Sequence, residues 1–202
     1  MTNTKINDEL VKEFEDLAKV YSLDDSTREQ IISSSREILK LSKQAIYNLH
    51  REDFNQSKSL IEKASSEIVK TKKLIDGSSL KEIGSFRACL EEFVEAKGYL
   101  FFLENKKIPT RKNLNIPIEI HYDTYLLGLS DLSGELVRRC VTAATNDKTD
   151  EVKEINAILE ELYGLWLKFD FRTSELRKKF DTLRYNLSKT QTIVYELHMR
   201  RN

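Results

Sequence analysis

What most constrains this chain is how little it contains that could stop a helix. Its 202 residues include only 2 prolines and 6 glycines, and both prolines, Pro109 and Pro117, fall in one short stretch. Proline inside a helix removes a hydrogen bond and clashes with the preceding turn, and glycine costs backbone entropy, so long spans without either favour long helices. Between these breakers apolar residues recur at spacings of three and four, the period of one helix face. Ile6, Leu10, Phe14, Leu17 and Tyr21 make one such stripe, and Ile31, Ile38, Ala45, Ile46 and Leu49 another. Ser26 with Glu29 has the form of a capping box. The pattern thus predicts either two helices, over residues 5–21 and 26–51, or one long kinked helix. Asp53 predicts an N-cap for a helix that closes at Gly77. Ser78 or Ser79 should cap a helix over residues 80–105, and Thr173 or Ser174 the last one. Residues 123–145 and 150–171 carry two more helices, with residues 106–121 irregular between. The expectation is an all-α bundle of six to seven helices, a single domain over residues 1–202.

Charge excludes one class of function. Lys+Arg and Asp+Glu number 33 each, so the chain is not one that coats nucleic acid by bulk positive charge. Any phosphate contact must come from a local patch. Cys89 and Cys140 lie in helical segments without metal-type spacing and read as small apolar core residues of a reducing compartment. No run of about 18 apolar residues is present, which predicts no membrane span, and residues 1–8 lack the apolar core of a signal peptide. A cytoplasmic location is the expectation.

The residues that could carry chemistry are acidic. Glu92 and Glu95 are three apart and Asp131 and Glu135 four apart, so each pair shares a helix face. The helix over 80–105 is apolar on both sides: Phe86, Leu90, Phe93, Val94 and Leu100 lie on one, Tyr99, Phe102 and Leu103 on the other. Carboxylates on a helix buried on both sides need a partner. Four of them converging would need protons or a cation, and hard oxygen donors suit Mg²⁺ or Mn²⁺. The plainer alternative is a solvated acidic face, with Asp131 and Glu135 paired to Arg138 and Arg139 at helical spacing. Arg87, Arg138 and Arg139 are candidates for phosphate contacts, with Lys106, Lys107, Arg111 and Lys112 as a second patch. Gly128 and Gly134 flank the second acidic pair and would let another helix or a substrate come close. His50, His121 and His198 lack metal spacing and are expected to pack or to face solvent. Trp166, Tyr163, Phe169 and Phe171 are expected in the core or at a subunit contact.

Four segments taken in order resemble the translin family, and more closely its translin-associated factor X (Trax) branch. They are Ser42-Lys43-Gln44-Ala45-Ile46-Tyr47-Asn48-Leu49-His50-Arg51, then Glu92-Phe93-Val94-Glu95-Ala96, then Tyr125 to Leu136, and Leu176-Arg177-Lys178-Lys179-Phe180 through Leu197. Translin usually lacks an acid where this chain has Asp131, whereas Trax-like proteins carry that Asp together with the Glu-x-x-Glu. The resemblance implies a translin-type bundle and a Mg²⁺-dependent endoribonuclease for single-stranded RNA. It implies Glu92, Glu95 and Asp131 as metal ligands and Glu135 as a nearby catalytic helper. It further implies self-assembly into a hollow shell of about eight subunits with the nucleic acid inside. The basic amino-terminal extension of eukaryotic Trax is not in this sequence, and Leu176 to Tyr185 is more similar to translin. That mixture points to a compact prokaryote-like member that assembles with itself. Two other readings compete: a translin-like protein that binds single-stranded RNA or DNA without cutting it, and a helical scaffold for protein partners.

Overall fold

The computed structural model describes residues 6–80, 83–172 and 174–200. Seven helices follow one another: α1 (Asp8–His50), α2 (Phe54–Asp76), α3 (Gly84–Asn105), α4 (Arg111–Leu114), α5 (Tyr122–Thr145), α6 (Thr149–Trp166) and α7 (Glu175–Met199). No strand occurs among the described residues, and no helix among them is long and apolar enough to cross a membrane. The all-α expectation holds. The expected helix start at residue 5 and the alternative cap at Thr173 lie outside the described residues.

Of the two expectations for residues 22–26, the single long helix holds: α1 runs on for 43 residues. Ser26 does not cap a new helix. Its Oγ and that of Thr27 both donate to the carbonyl of Leu23, each at 2.9 Å, so the hydroxyls are satisfied inside a continuous helix. Asn7 is the true N-cap, accepting from the Leu10 N–H at 2.9 Å. Only the second half of α1 is covered. Ile31, Ile38, Ala45 and Leu49 are fully buried, whereas Phe14 is 65% and Tyr21 74% exposed, with Leu10, Leu17 and Val20 exposed beside them.

Asp53 caps α2 as expected, accepting from the Gln56 N–H at 3.0 Å. The serines expected to cap α3 do not. Ser78 donates to the Ile75 carbonyl (2.9 Å) and accepts from the Leu80 N–H (3.2 Å), while the Ser79 hydroxyl donates to Asp24 of α1. With Ser78 occupied by the turn and Ser79 by α1, α3 starts later, after Ile83, with no side-chain cap. In the stretch expected to be irregular, Thr110 and Asn113 form a capping box around the short α4. Tyr125 fastens that stretch by donating to the Pro109 carbonyl at 2.8 Å. Ser174 caps α7, accepting from the Arg177 N–H at 3.3 Å.

Helix α3 is the axis of the bundle, with α1 packed on one side and α5 on the other, while α7 closes over α5 and α6. Tyr99, Phe93 and Phe102 of α3 are wholly buried. Gly128 sets the spacing of α3 and α5, since a Cβ there would lie 2.6 Å from Val94 Cγ1 and 2.7 Å from the Glu91 carbonyl oxygen. Gly134 has no such role; a Cβ there would meet only Asn186 Nδ2, at 3.9 Å. Trp166 is a core residue, with its ring plane within 4° of Phe180 at 6.2 Å. Cys89 and Cys140 are buried free thiols, pushed by that burial up to about 12 and about 11 respectively.

Candidate active site

Because α3 and α5 touch through Gly128, their acidic pairs meet. Glu92 and Glu95 from α3 and Asp131 and Glu135 from α5 line one pocket of about 430 Å³, completed by Arg138 and by Lys43, Ile46 and Tyr47 of α1. Glu95 lies deepest. It is 8% exposed and makes no hydrogen bond or ion pair among the described residues. Burial pushes its carboxyl up to about 9, and the neighbouring Glu92, Asp131 and Glu135 charges push the same way. Glu92 is raised too, mainly by burial, against the pull of Lys43.

The other three carboxylates each lean on a cation or a ring nitrogen. Lys43 Nζ lies 3.9 Å from Glu92. Lys179, reaching across from α7, donates to Asp131 Oδ1. Arg138 Nη1 stands 3.8 Å from Glu135 Oε2, and the same oxygen pairs with Nε2 of His50. On the far edge of the His50 ring, Nδ1 lies 3.1 Å from the hydroxyl of the wholly buried Tyr99. A carboxylate can only accept, so Nε2 carries the proton in this contact, and the Tyr99 hydroxyl, which can donate or accept, pairs with Nδ1. Glu135 is thereby held from two further helices, α1 and α3. The Asp131 side is braced by α7: Ser130 Oγ donates to the Lys179 carbonyl at 2.9 Å, and Asn186 donates to Ser133 Oγ at 2.8 Å.

Among the described residues, no three His, Cys, Asp or Glu side chains already stand as a ready metal cluster. Their chemistry nonetheless fits a hard divalent cation. The donors are all carboxylate oxygens, and the deepest of them, Glu95, is pushed toward its protonated form by its burial first and by the three neighbouring charges second. A divalent ion would relieve that crowding. Glu92, Glu95 and Asp131 are the residues that could hold it.

Of the basic residues expected at phosphate, only Arg138 lines this pocket. Arg139, one residue on and turned by 100°, is a correction to that expectation. It reaches Glu151 at 2.7 and 3.4 Å and Glu52 at 3.1 Å, tying α5 to α6 and to the end of α1. Arg87 is a second correction, engaged by Glu91 at 3.1 Å and Glu175 at 3.3 Å. It lines a separate, more apolar groove with Ile83, Phe86 and Ile118. Lys106 turns back toward Glu151, at 3.8 Å. Lys43, Ile46 and Tyr47 as pocket lining, and Lys179, His50 and Tyr99 as the groups that hold its carboxylates from behind, escaped the sequence reading. Lys43, Ile46, Tyr47 and His50 repeat at three and four within one quoted segment, which was a usable signal. Lys179 offered none, because its partner lies 48 residues away.

Fold and pocket together define an all-helical protein with an acidic site between neighbouring helices. The chain belongs to the translin family, which matches residues 26–201. It is 33% identical over 184 residues to an uncharacterised protein of Methanocaldococcus jannaschii, covering 87% of this chain and 80% of that one. With the translin-associated protein X homologue of Schizosaccharomyces pombe it shares 27% identity over 194 residues, covering 88% and 83%. Among solved structures, the AfC3PO–duplex RNA complex superposes with a TM-score of 0.81 at 20% identity, over 94% of this chain and 98% of that one.

Proposed function

We propose that this protein is a Mg²⁺- or Mn²⁺-dependent endoribonuclease that cuts single-stranded RNA inside a shell of its own copies, about eight of them. The observation that carries this reading is Glu95: a buried, unpartnered carboxyl in a pocket with three more carboxylates, in a chain of the translin family. Glu92, Glu95 and Asp131 would hold the ion. When bound, it would supply charge neutralisation at the phosphate and a more acidic water. Glu135 is anchored through Oε2, which leaves Oε1 to orient a water and to take its proton. Arg138, exposed at the rim, offers a guanidinium that suits phosphate oxygens. The exposed apolar stripe on the first half of α1 supports self-assembly, since monomeric proteins rarely leave such a face open. The AfC3PO complex with duplex RNA supports RNA as the ligand class.

The test is cleavage of a labelled single-stranded RNA in Mg²⁺ and in EDTA, by the wild type and by Asp131→Ala. Mg²⁺-dependent cutting that the variant loses is the expected result. Binding without cutting by the wild type would replace this reading with a translin-like one. Neither binding nor cutting would leave a scaffold. Light scattering should give several times the 23.6 kDa chain mass, and a monomer would remove the shell.

A further inference from the structure

Two lysines touch the acidic pocket, from different helices. Lys43 comes from α1, exposed at the mouth, and faces Glu92. Lys179 comes from α7 and donates to Asp131. Lys179 is also part of a second hollow, of about 730 Å³, at the start of α7, where three basic residues (Arg177, Lys178 and Lys179) stand with Ser174, Thr182 and one acid, Glu175. One residue thus bridges a basic shelf and the acidic pocket. Its backbone is fixed, because its carbonyl accepts from Ser130 of α5, but its ammonium sits on a flexible four-carbon stem. Glu92 and Asp131 are two of the three residues assigned above to the ion. An ammonium and a divalent cation cannot both take full benefit of the same carboxylate oxygens. A divalent ion that takes the oxygens these lysines now face, Asp131 Oδ1 and Glu92 Oε2, would release them, and two freed ammonium groups beside a bound phosphodiester face a polyanion.

Resting on the nuclease reading, we propose that Lys43 and Lys179 are exchangeable counter-ions. They neutralise Glu92 and Asp131 while no metal is bound, and pass to RNA phosphates, one from the α1 side and one from the α7 side, once a divalent cation takes the carboxylates. The two ligands of the site are then coupled: metal binding frees the groups that grip the strand. Lysine suits this exchange better than arginine, whose planar fork would hold a carboxylate bidentately.

A structural lysine and an exchanging one differ in sign. Removing a competing cation should tighten Mn²⁺ binding, and removing a phosphate contact should weaken RNA binding. Mn²⁺ affinity of the RNA-free protein is measured by electron paramagnetic resonance for wild type, Lys43→Gln, Lys179→Gln and Lys179→Arg. Each Gln variant should bind Mn²⁺ roughly fivefold more tightly, the scale of one nearby charge in a solvated site. Affinity for a labelled 2′-O-methyl RNA in Mn²⁺ should fall, with the log–log salt slope shrinking by about 0.7 per lysine removed. Lys179→Arg should keep the salt slope of the wild type. Unchanged or weaker Mn²⁺ binding in both Gln variants would overturn the proposal, as would tighter Mn²⁺ binding with an unaltered salt slope. Lys43 is exposed, so Lys43→Gln decides the matter if Lys179→Gln melts early. A wild type that cuts and binds Mn²⁺, with Gln variants that match it, sinks only the exchange; a wild type that does neither sinks the nuclease reading with it.

Discussion

Helix α5 carries two clusters of charge that use the same residue types to opposite ends. Around Arg139, two cations (Arg139 and Lys106) meet two carboxylates (Glu151 and Glu52). Arg139 and Glu151 are 12% and 13% exposed. Burial alone would raise Glu151, but the hydrogen bonds and charge of Arg139, with Lys106 and Lys148, hold it below its ordinary value. In the pocket the balance is reversed. Glu95 and Glu92 are both pushed up, by burial first and by neighbouring carboxylates second. The first cluster is electrostatically complete and fastens helices together. The second leaves one buried carboxyl, Glu95, without a hydrogen-bond or ion-pair partner among the described residues, and that marks it as a candidate site.

The contrast can be broken by single substitutions. Removing a pocket carboxylate, as in Asp131→Ala or Glu92→Ala, should lower cleavage by roughly a thousandfold or more while melting temperature and assembly hold. Retained turnover would take those residues out of the site. Arg139→Ala should do the reverse. It strands Glu151 and should cost about 3 kcal/mol, a fall of roughly 6–12 °C in thermal unfolding, with RNA affinity intact. A loss of RNA affinity without a loss of stability would return Arg139 to the phosphate contacts.

The two clusters should also answer pH oppositely. Glu95 has a folded value near 9, above its ordinary 4.5. Its contribution is complete below about 4.5 and is lost as pH rises toward 9. Glu95→Gln should therefore stabilise the metal-free protein by about 5 °C at pH 8 and by much less at pH 5. Glu151 is depressed, so its contribution is present above its unfolded value and lost on acidification through the folded one; Arg139→Ala should flatten that acid limb. Melting curves across pH 4–9 that fail to separate the two variants would erase the distinction. The smallest effect is expected at His50. His50→Ala frees Glu135 from its brace and should lower cleavage about tenfold, whereas His50→Gln, which can still donate to Glu135, should recover part of it.

How much of this was legible in the sequence follows from the range of each interaction. Asp53 and Ser174 were readable as caps because a cap acts over three residues. The false break at Ser26 was not, because a hydroxyl that caps and one that bonds back to Leu23 occupy the same spacing. Ser78 and Ser79 misled for a similar reason, being taken by the turn and by Asp24. The two acidic pairs were visible as pairs; that their faces meet depends on Gly128 admitting α3 against α5. Arg138 and Arg139 were indistinguishable by spacing from their acidic neighbours, yet one turn of 100° sends them to different clusters. Lys179 was invisible, since only tertiary packing brings it to Asp131.

One consequence of the unbroken α1 is temporal. A rod of 43 residues, about 65 Å long, is gripped by the bundle over only its second half. Backbone amides before residue 23 should exchange with deuterium at the rate of end-fraying, while those between Ile31 and Leu49 wait for the bundle itself to open. By hydrogen bonding it is one helix, and by the clock it is two. Lys43, Ile46 and His50 all stand on the slow side of that boundary, so in a dissociated subunit the arm would fray without its motion reaching the acidic pocket.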